Sequence, residues 1–126
     1  MGQNWKDVFG VRNISAVTFA VSDMSRSVPF YRKLGFELLH GGEAASFTSF
    51  KAGGSFVNLI EAKGYEGRWS GRTIFRVDDA DAQYRLQGEA GLSPDEPQDA
   101  PWGERYFHIS DPDGHELSFA EVLSRS

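Results

Sequence analysis

The stretch VTFAVSD at residues 17–23 returns 56 residues later as TIFRVDD at residues 73–79. A second pair of similar stretches lies 60 residues apart, at residues 54–61 and 114–121. Apolar and acidic positions coincide in both pairs, and a glycine position coincides in the second. Self-similarity at a fixed spacing is the sequence signature of a repeated structural unit. The repeat therefore predicts that the chain is built from two related modules.

The two modules, near residues 13–62 and 70–123, begin with the same order of patterns. Each opens with an alternation of apolar side chains, which is the period-2 pattern of a half-buried strand. Apolar residues at helical spacing follow, and in the first module these are Val28, Tyr31 and Leu34. A strand followed by a helix is therefore expected at the start of each module.

Capping residues set the expected bounds of both helices. The second helix is predicted to run over Tyr84 and Leu86, and glycine at position 35 or 91 supplies the left-handed conformation that ends each helix. The candidate N-caps are Asp23 or Ser25 for the first helix and Asp79 or Asp81 for the second.

Three strands are expected after each helix, because glycine and proline turns divide short apolar runs there. The order is thus β-α-β-β-β, twice, which is an α+β fold. Residues 64–71 are the expected linker, and residues 1–12 an extension without a clear period. The predicted strands lie near 37–40, 45–51 and 56–61 in the first module and near 93–96, 106–110 and 117–122 in the second.

Length and composition indicate one soluble globular domain. The chain has 126 residues, of which 40% are hydrophobic and 25% charged. Without cysteine it has no disulfide framework, thiolate metal site or cysteine nucleophile, which fits a cytoplasmic protein. No apolar run reaches the roughly 18–20 residues of a membrane helix, and no signal peptide is expected at the N-terminus.

The charge is acidic and uneven. The net charge of −5 argues against nucleic acid as the main partner. Residues 1–70 carry eight basic and six acidic side chains, whereas residues 71–126 carry five basic and twelve acidic ones. The acidic half either serves solubility or attracts a cationic ligand.

Several short motifs accompany the repeat. They are VSD at 21–23, FY at 30–31, LGF at 34–36, FRVDD at 75–79 and DPDGH at 111–115. With these motifs the chain resembles the vicinal oxygen chelate superfamily, which includes glyoxalases, bleomycin resistance proteins and extradiol dioxygenases. The resemblance implies that each module forms an open, curved mixed sheet, that the two sheets surround a ligand-binding cleft, and that the protein is a homodimer.

The same resemblance implies four positions for metal ligands, two in each module. Family enzymes carry histidine, glutamate or glutamine there, whereas this chain has Ala16, Asn58, Arg72 and Ser118. Alanine has no donor atom, and an arginine cation repels a metal ion. Serine and asparagine are weak neutral oxygen ligands. We therefore expect no metal, no cofactor and no metal-dependent enzyme chemistry at these positions.

A narrower likeness points to binding rather than catalysis. The segment Pro101-Trp102-Gly103 precedes the penultimate strand, as in bleomycin resistance proteins, which bind their drug without a metal. The predicted function is metal-independent binding of a small antibiotic-type or aromatic molecule. The alternatives are a glyoxalase- or dioxygenase-like enzyme with a displaced metal site, and a partner-binding module without activity.

Cationic and aromatic residues are the first candidates for ligand binding. Arg72 and Arg76 share one face of their strand, where guanidinium groups suit a carboxylate or phosphate, or they pair with the acidic residues of the second module. Trp102 and Trp69 lie in polar, glycine-flanked segments, where an indole ring stacks on a ligand or packs in a dimer interface. Phe56 shares the face of Asn58 and is expected to line the cleft.

Histidine and glutamate are the candidates for a displaced site. His108 and Glu116 are predicted to share one face with Ser118, where they contribute to ligand binding, to a displaced metal site or to proton transfer. Two convergent ligands are fewer than a metal site normally has. We expect a surface position for His40 and a structural role in the turn for His115.

Overall fold

The computed structural model describes residues 13–68 and 71–123 and has two four-stranded sheets, each with one helix. Residues 1–12 and Trp69 lie outside this part of the chain. The first module contains β1 (Ala16–Val21), α1 (Met24–Leu34), β2 (Glu37–His40), β3 (Phe47–Ala52) and β4 (Ser55–Glu61).

The second module repeats this order and this topology. In the strand orders β1-β4-β3-β2 and β5-β8-β7-β6, the first strand pairs in parallel with the last, and the other pairs are antiparallel. The predicted α+β fold with two βαβββ modules is therefore confirmed. Its elements are β5 (Arg72–Arg76), α2 (Ala80–Glu89), β6 (Gln98–Ala100), β7 (Glu104–Ser110) and β8 (Glu116–Val122).

Strand register explains why the repeat has two offsets. Ala16 pairs with Phe56 in the first module, and Arg72 pairs with Glu116 in the second. The first members of these pairs are 56 residues apart and the second members 60, because the second module has four more residues between its first and last strands. The two sheets are thus equivalent residue by residue along their central strand pairs.

Aspartate caps begin both helices. Asp23 Oδ1 accepts a hydrogen bond from the Ser25 amide, and Asp79 Oδ1 accepts one from the Ala82 amide, both at 3.0 Å. Of the two candidates for each N-cap, the structure therefore selects the earlier one. Gly35 ends α1 with a φ of 111°, a left-handed conformation that favours glycine.

A second carboxylate supports each helix start, and sequence reasoning assigned it no role. Glu61 Oε2 accepts from the Met24 amide and Glu121 Oε1 from the Ala80 amide, each at 2.9 Å. Both glutamates lie on the last strand of their module. They satisfy amide groups of the first helical turn and place a negative charge near the positive end of the helix dipole.

Replacing Glu121 with alanine is expected to lower the free energy of unfolding by about 1 kcal/mol, because one amide at the start of α2 loses its acceptor. Urea unfolding followed by circular dichroism measures this loss. Glu89→Ala, at an exposed position in the last turn of the same helix, is the matched control and should change stability little. Equal losses in the two variants would contradict the capping role.

The second helix runs over Tyr84 and Leu86 as expected. Within it Gln87 is fully buried and Leu86 is 59% exposed, because steps of four and three residues from Ala80 through Tyr84 lead to position 87. One local prediction was wrong. The strand expected at 93–96 is instead Gln98–Ala100. Pro94 and Pro97 lack the amide hydrogen that a sheet ladder needs, and regular pairing with β7 begins only beyond them.

One hydrophobic core joins the modules. Phe36, which follows α1, lies with its ring centroid 5.0 Å from Phe75 of β5 and 6.5 Å from Phe119 of β8. On its own module Phe36 contacts Tyr31 and Phe50 at centroid distances of 6.1 and 6.4 Å. This phenylalanine therefore packs against aromatic residues on both sides of the boundary between the modules.

The turn at 111–115 also connects the modules, through a buried carboxylate. Asp111 Oδ2 accepts from the Tyr31 hydroxyl at 2.8 Å, and Oδ1 accepts from the amides of Asp113 and His115 at 2.9 and 2.8 Å. Burial raises the pKa of Asp111, although these hydrogen bonds oppose the shift. Burial and the neighbouring carboxylate raise the pKa of Tyr31 well above its usual value.

Further contacts of this turn reach the first strand. Asp113 Oδ1 accepts from the amide and the hydroxyl of Ser22 at 3.1 and 2.6 Å. The His115 Nε2 atom lies 2.7 Å from the Ala20 carbonyl oxygen, and its ring stacks on Tyr65. The turn therefore makes structural contacts with the first module, in agreement with the structural role expected for His115.

Among the described residues, neither helix is long and apolar enough to cross a membrane.

Candidate functional site

The face of each sheet that lies away from its helix, here called the open face, carries most of the predicted site residues. In the second module one row of paired residues is Arg72, Glu116 and Ser110, and the next is Ile74, Ser118 and His108. The equivalent residues of the first module, with Phe56 and Asn58, occupy the corresponding rows of the other sheet. The predicted site residues on the open faces are Phe56, Asn58, Arg72, Arg76, His108, Glu116 and Ser118.

Arg72 forms an ion pair with Glu116 on the neighbouring strand. Its Nη2 atom lies 3.1 Å from Glu116 Oε1, and both side chains are partly exposed. Arg72 was expected either to bind a ligand or to pair with an acidic residue. The structure shows the pairing with an acidic residue, and Arg72 also lines a cavity described below. A cation consequently occupies one position at which the family resemblance implies a metal ligand.

Ser118 stands at another of these positions, and its hydroxyl group is engaged in a hydrogen bond. The residue is only 2% exposed, and its Oγ atom is hydrogen-bonded to Nδ1 of His108. Burial lowers the pKa of His108, and the positive charge of Arg72 lowers it further, against the opposing effects of Glu116 and Asp95. Both burial and the neighbouring guanidinium thus favour the neutral form of the His108 ring.

Replacing Arg72 with glutamine is expected to raise the pKa of His108, because the variant loses a positive charge and leaves the carboxylate of Glu116 without its guanidinium partner. NMR titration of the His108 ring measures the midpoint. In the native protein it should lie below the ordinary value of 6.5. Arg85→Gln, on the exposed side of α2, is the control for net charge. A midpoint that is unchanged in Arg72→Gln would contradict this coupling.

The first module offers no stronger metal ligands at the equivalent positions. Ala16 has no donor atom, and the Asn58 amide donates to Thr18 Oγ1 at 3.4 Å. Together with the guanidinium at position 72 and the bonded hydroxyl at position 118, this donor set does not fit a divalent metal ion. No group of three metal-ligating side chains comes together within residues 13–68 and 71–123.

Aromatic rings form a row along the open face of β7. Trp102, in the turn before the strand, lies nearly parallel to Tyr106, with a centroid distance of 6.3 Å and an interplanar angle of 18°. Tyr106 in turn lies 5.1 Å from the ring of His108. Trp102 is 62% exposed, and its Nε1 atom donates to Glu104 Oε1 at 2.7 Å. The indole is thus held beside Tyr106 while more than half of it stays exposed.

A cavity of about 400 Å³ lies where β1 and β4 of the first module meet β5 of the second. Its walls include Ala16 and Phe56 from the first module and Arg72, Ile74 and Arg76 from the second. Phe56 is 44% exposed. The structure therefore brings three of the predicted site residues together at the boundary between the modules.

The other candidates lie apart from this cavity. His108 and Glu116 line a second cavity of about 360 Å³, together with Asp95. His40 is exposed at the end of β2, in agreement with the surface position expected for it. Sequence reasoning missed Tyr106 and Ile74, although each shares strand parity with a residue that it selected.

Two equivalent βαβββ modules, with open faces and with cavities at their boundary, define a two-module α+β protein. The matching family model, described as the Glyoxalase/Bleomycin resistance protein/Dioxygenase superfamily, covers residues 13–119. The chain belongs to this superfamily, and the family resemblance noted from the sequence is confirmed.

Solved structures with the same fold include an enzyme and a resistance protein. Lactoylglutathione lyase from Agrobacterium tumefaciens is 19% identical, with 89% of this chain and 95% of that chain covered and a TM-score of 0.73. The bleomycin resistance determinant encoded on transposon Tn5 is also 19% identical, with coverages of 88% and 98% and a TM-score of 0.74. At this identity the likeness shows the fold alone.

A third structure is somewhat more similar in sequence. TioX from Micromonospora sp. ML1 is 27% identical, with 89% of this chain and all of that chain covered (100%), and the TM-score is 0.71. No curated protein matches the chain significantly by sequence.

Proposed function

We propose that this protein binds a small, flat, largely apolar molecule without a metal ion. One of its structural relatives, encoded on Tn5, is named for resistance to a small molecule, bleomycin. The observation that carries this proposal is the content of the four metal-ligand positions. They hold a methyl group, an amide, an ion-paired guanidinium and a bonded hydroxyl. Such groups line a binding cleft well, whereas they bind a divalent ion poorly.

Aromatic side chains in the cavity between the modules support a planar ligand. Phe56, 44% exposed, and Phe75 line that cavity, and contact with such rings contributes beyond the simple burial of area. Trp102 and Tyr106, nearly parallel on β7, form a second aromatic surface outside the cavity. A rigid aromatic side chain loses little conformational entropy on binding, which favours its use as an anchor.

The open apolar faces support a homodimer. Phe47, Phe56, Ile60 and Ile74 are all exposed in the single chain. Phe47 pairs with Ile60 across neighbouring strands, and Phe56 and Ile74 line one cavity. Exposed apolar side chains that lie together in this way are typical of interaction sites. A second copy that packs against these faces would close the cleft and exclude water from the ligand. Sedimentation equilibrium tests the dimer directly, and a monomer at all concentrations would contradict it.

Binding can be measured with N-phenyl-1-naphthylamine, a neutral planar dye that fluoresces in apolar surroundings. Saturable binding that is unchanged by EDTA is expected. Phe56→Ala should weaken it by roughly tenfold, since this half-exposed ring lines the cavity between the modules and an aromatic contact contributes about 1 kcal/mol or more. Phe56→Tyr keeps a planar ring and should retain most of the affinity. Absence of saturable binding, or loss of binding in EDTA, would overturn the proposal.

The second candidate is an enzyme that uses His108 and Glu116. The lowered pKa of His108 favours it, because a neutral imidazole is able to accept a proton. The ion pair with Arg72 weighs against it, since it occupies the Glu116 carboxylate. Product formation in proportion to protein concentration, for example lactoylglutathione from methylglyoxal and glutathione, and its loss in His108→Ala would favour the enzyme over the binding protein.

A further inference from the structure

Two cavities lie side by side along the boundary between the modules. The cavity with Phe56 and Arg72 measures about 400 Å³, and its neighbour, near the end of α1 and the β3–β4 hairpin, measures about 410 Å³. Both are lined by Ala52, Phe75 and Arg76, so Arg76 lies at their common border. We call the two cavities together the seam groove.

The charged residues of the seam groove are all basic. Arg72 and Arg76 line one cavity, Lys51 and Arg76 line the other, and none of the described lining residues is acidic. This is unexpected in a chain with a net charge of −5 whose second module carries most of the acidic residues. A local cluster of one sign in a cleft concentrates ligands of the opposite sign.

Arg76 differs from Arg72 in its surroundings. The Arg72 guanidinium is partly neutralised by Glu116 at 3.1 Å. Among the described residues, no carboxylate lies within 4.0 Å of a side-chain nitrogen of Arg76, whereas Arg26, Arg72 and Arg105 all have such a neighbour. The exposed Arg76 side chain therefore keeps its hydrogen-bond donors available for an anion.

The uncharged lining of the seam groove combines apolar side chains, four of them phenylalanines, with the polar side chains of Ser55, Thr73 and Gln83. An anion with a purely polar body would leave the apolar surfaces in contact with water, whereas an aromatic or branched aliphatic body would cover them. The larger apolar side chains of the groove are Ile14, Leu34, Phe36, Phe56, Ile74, Phe75 and Phe119.

From this combination we infer that the natural ligand is an oxyanion on an apolar body, a carboxylate, sulfonate or phosphate ester, with its charged group at Arg76 and its body in the seam groove. The inference rests on the proposed binding function and names the class of ligand. A planar guanidinium forms paired hydrogen bonds to such oxyanions. A cationic drug, by contrast, would meet three like charges in this groove.

Two matched dyes separate the contribution of charge from that of apolar contact. 8-Anilinonaphthalene-1-sulfonate has the ring system of N-phenyl-1-naphthylamine and adds one sulfonate. A groove without a role for charge favours the neutral dye, because the sulfonate loses its hydration on binding. A groove that pairs the anion with Arg76 is expected to bind the sulfonate dye at least as tightly.

Variants at Arg76 give the decisive comparison. Arg76→Gln should weaken binding of the sulfonate dye by roughly tenfold, as expected for the loss of a charge-assisted hydrogen bond, and that of the neutral dye by less than about twofold. Arg76→Lys keeps the charge and should retain part of the affinity. Arg32→Gln, in the exposed last turn of α1, removes the same charge elsewhere and should leave both dyes unaffected.

The outcomes distinguish this inference from the function on which it rests. If the native protein binds both dyes and Arg76→Gln changes neither affinity, the anion inference is wrong and the binding function stands. If the native protein binds neither dye, both are wrong. A loss confined to the sulfonate dye in Arg76→Gln, with an unchanged thermal midpoint, supports the anion at Arg76.

Discussion

Replacing Asp111 with alanine is expected to lower the free energy of unfolding by about 3 kcal/mol, because three donors lose their acceptor at a buried site. Only 5% of Asp111 is exposed. Its two oxygens accept the Tyr31 hydroxyl of one module and two amides of the turn in the other. Alanine leaves these groups unsatisfied, and water has little access to replace the carboxylate.

The measurement is urea unfolding followed by both tyrosine absorbance and circular dichroism, with Asp78→Ala as control. Asp78 is exposed in the turn before α2, and its loss should change stability by less than about 0.5 kcal/mol. Tyr31→Phe removes a single donor and should fall between the two variants. A loss below about 1 kcal/mol in Asp111→Ala would show that the turn does not hold the modules together.

Replacing Phe36 with alanine is expected to cost about 3 kcal/mol as well, since deletion of a packed phenylalanine loses its burial and leaves a cavity. The ring of Phe36 lies between Tyr31 and Phe50 on one side and Phe75 and Phe119 on the other. Because these contacts span the boundary between the modules, the variant should also weaken dye binding in the seam groove, part of whose wall is Phe36.

Leu86→Ala is the matched control, because this leucine is 59% exposed on α2, away from the open faces. Its removal should change stability by less than about 1 kcal/mol. Thermal unfolding of both variants at the same protein concentration provides the comparison. If Leu86→Ala proves as destabilising as Phe36→Ala, the aromatic packing at the boundary has no special role in stability.

The repeat made the fold predictable from the sequence. Two offsets were enough to align the modules, and the pairings of Ala16 with Phe56 and Arg72 with Glu116 follow the same alignment. Strand parity then placed His108, Glu116 and Ser118 on one face. Alternation along a strand is a local geometric rule, which is why it held without knowledge of the tertiary structure.

The wrong prediction of β6 had a local cause. Two prolines shift the strand toward the C-terminus. This deviation does not alter the paired rows of the open face, because those rows depend on β5, β7 and β8.

The composition of the candidate site was less predictable. The sequence left open whether Arg72 and Arg76 bind a ligand or pair with acidic residues. The register of β5 against β8 decides this, because it places Glu116 beside Arg72 and Ala120 beside Arg76. The meeting of Phe56 with Arg76 at one cavity depends on how two modules pack, which no local pattern encodes.

The central claim is that ligand binding here needs no metal ion. The most direct measurement is the metal content per chain after purification without chelator and after reloading with Zn²⁺, Ni²⁺, Mn²⁺ and Fe²⁺. The residues at positions 16, 58, 72 and 118 predict a content near zero, with dye binding unchanged by EDTA. About one tightly held metal ion per chain, required for dye binding, would contradict the account and favour an enzyme.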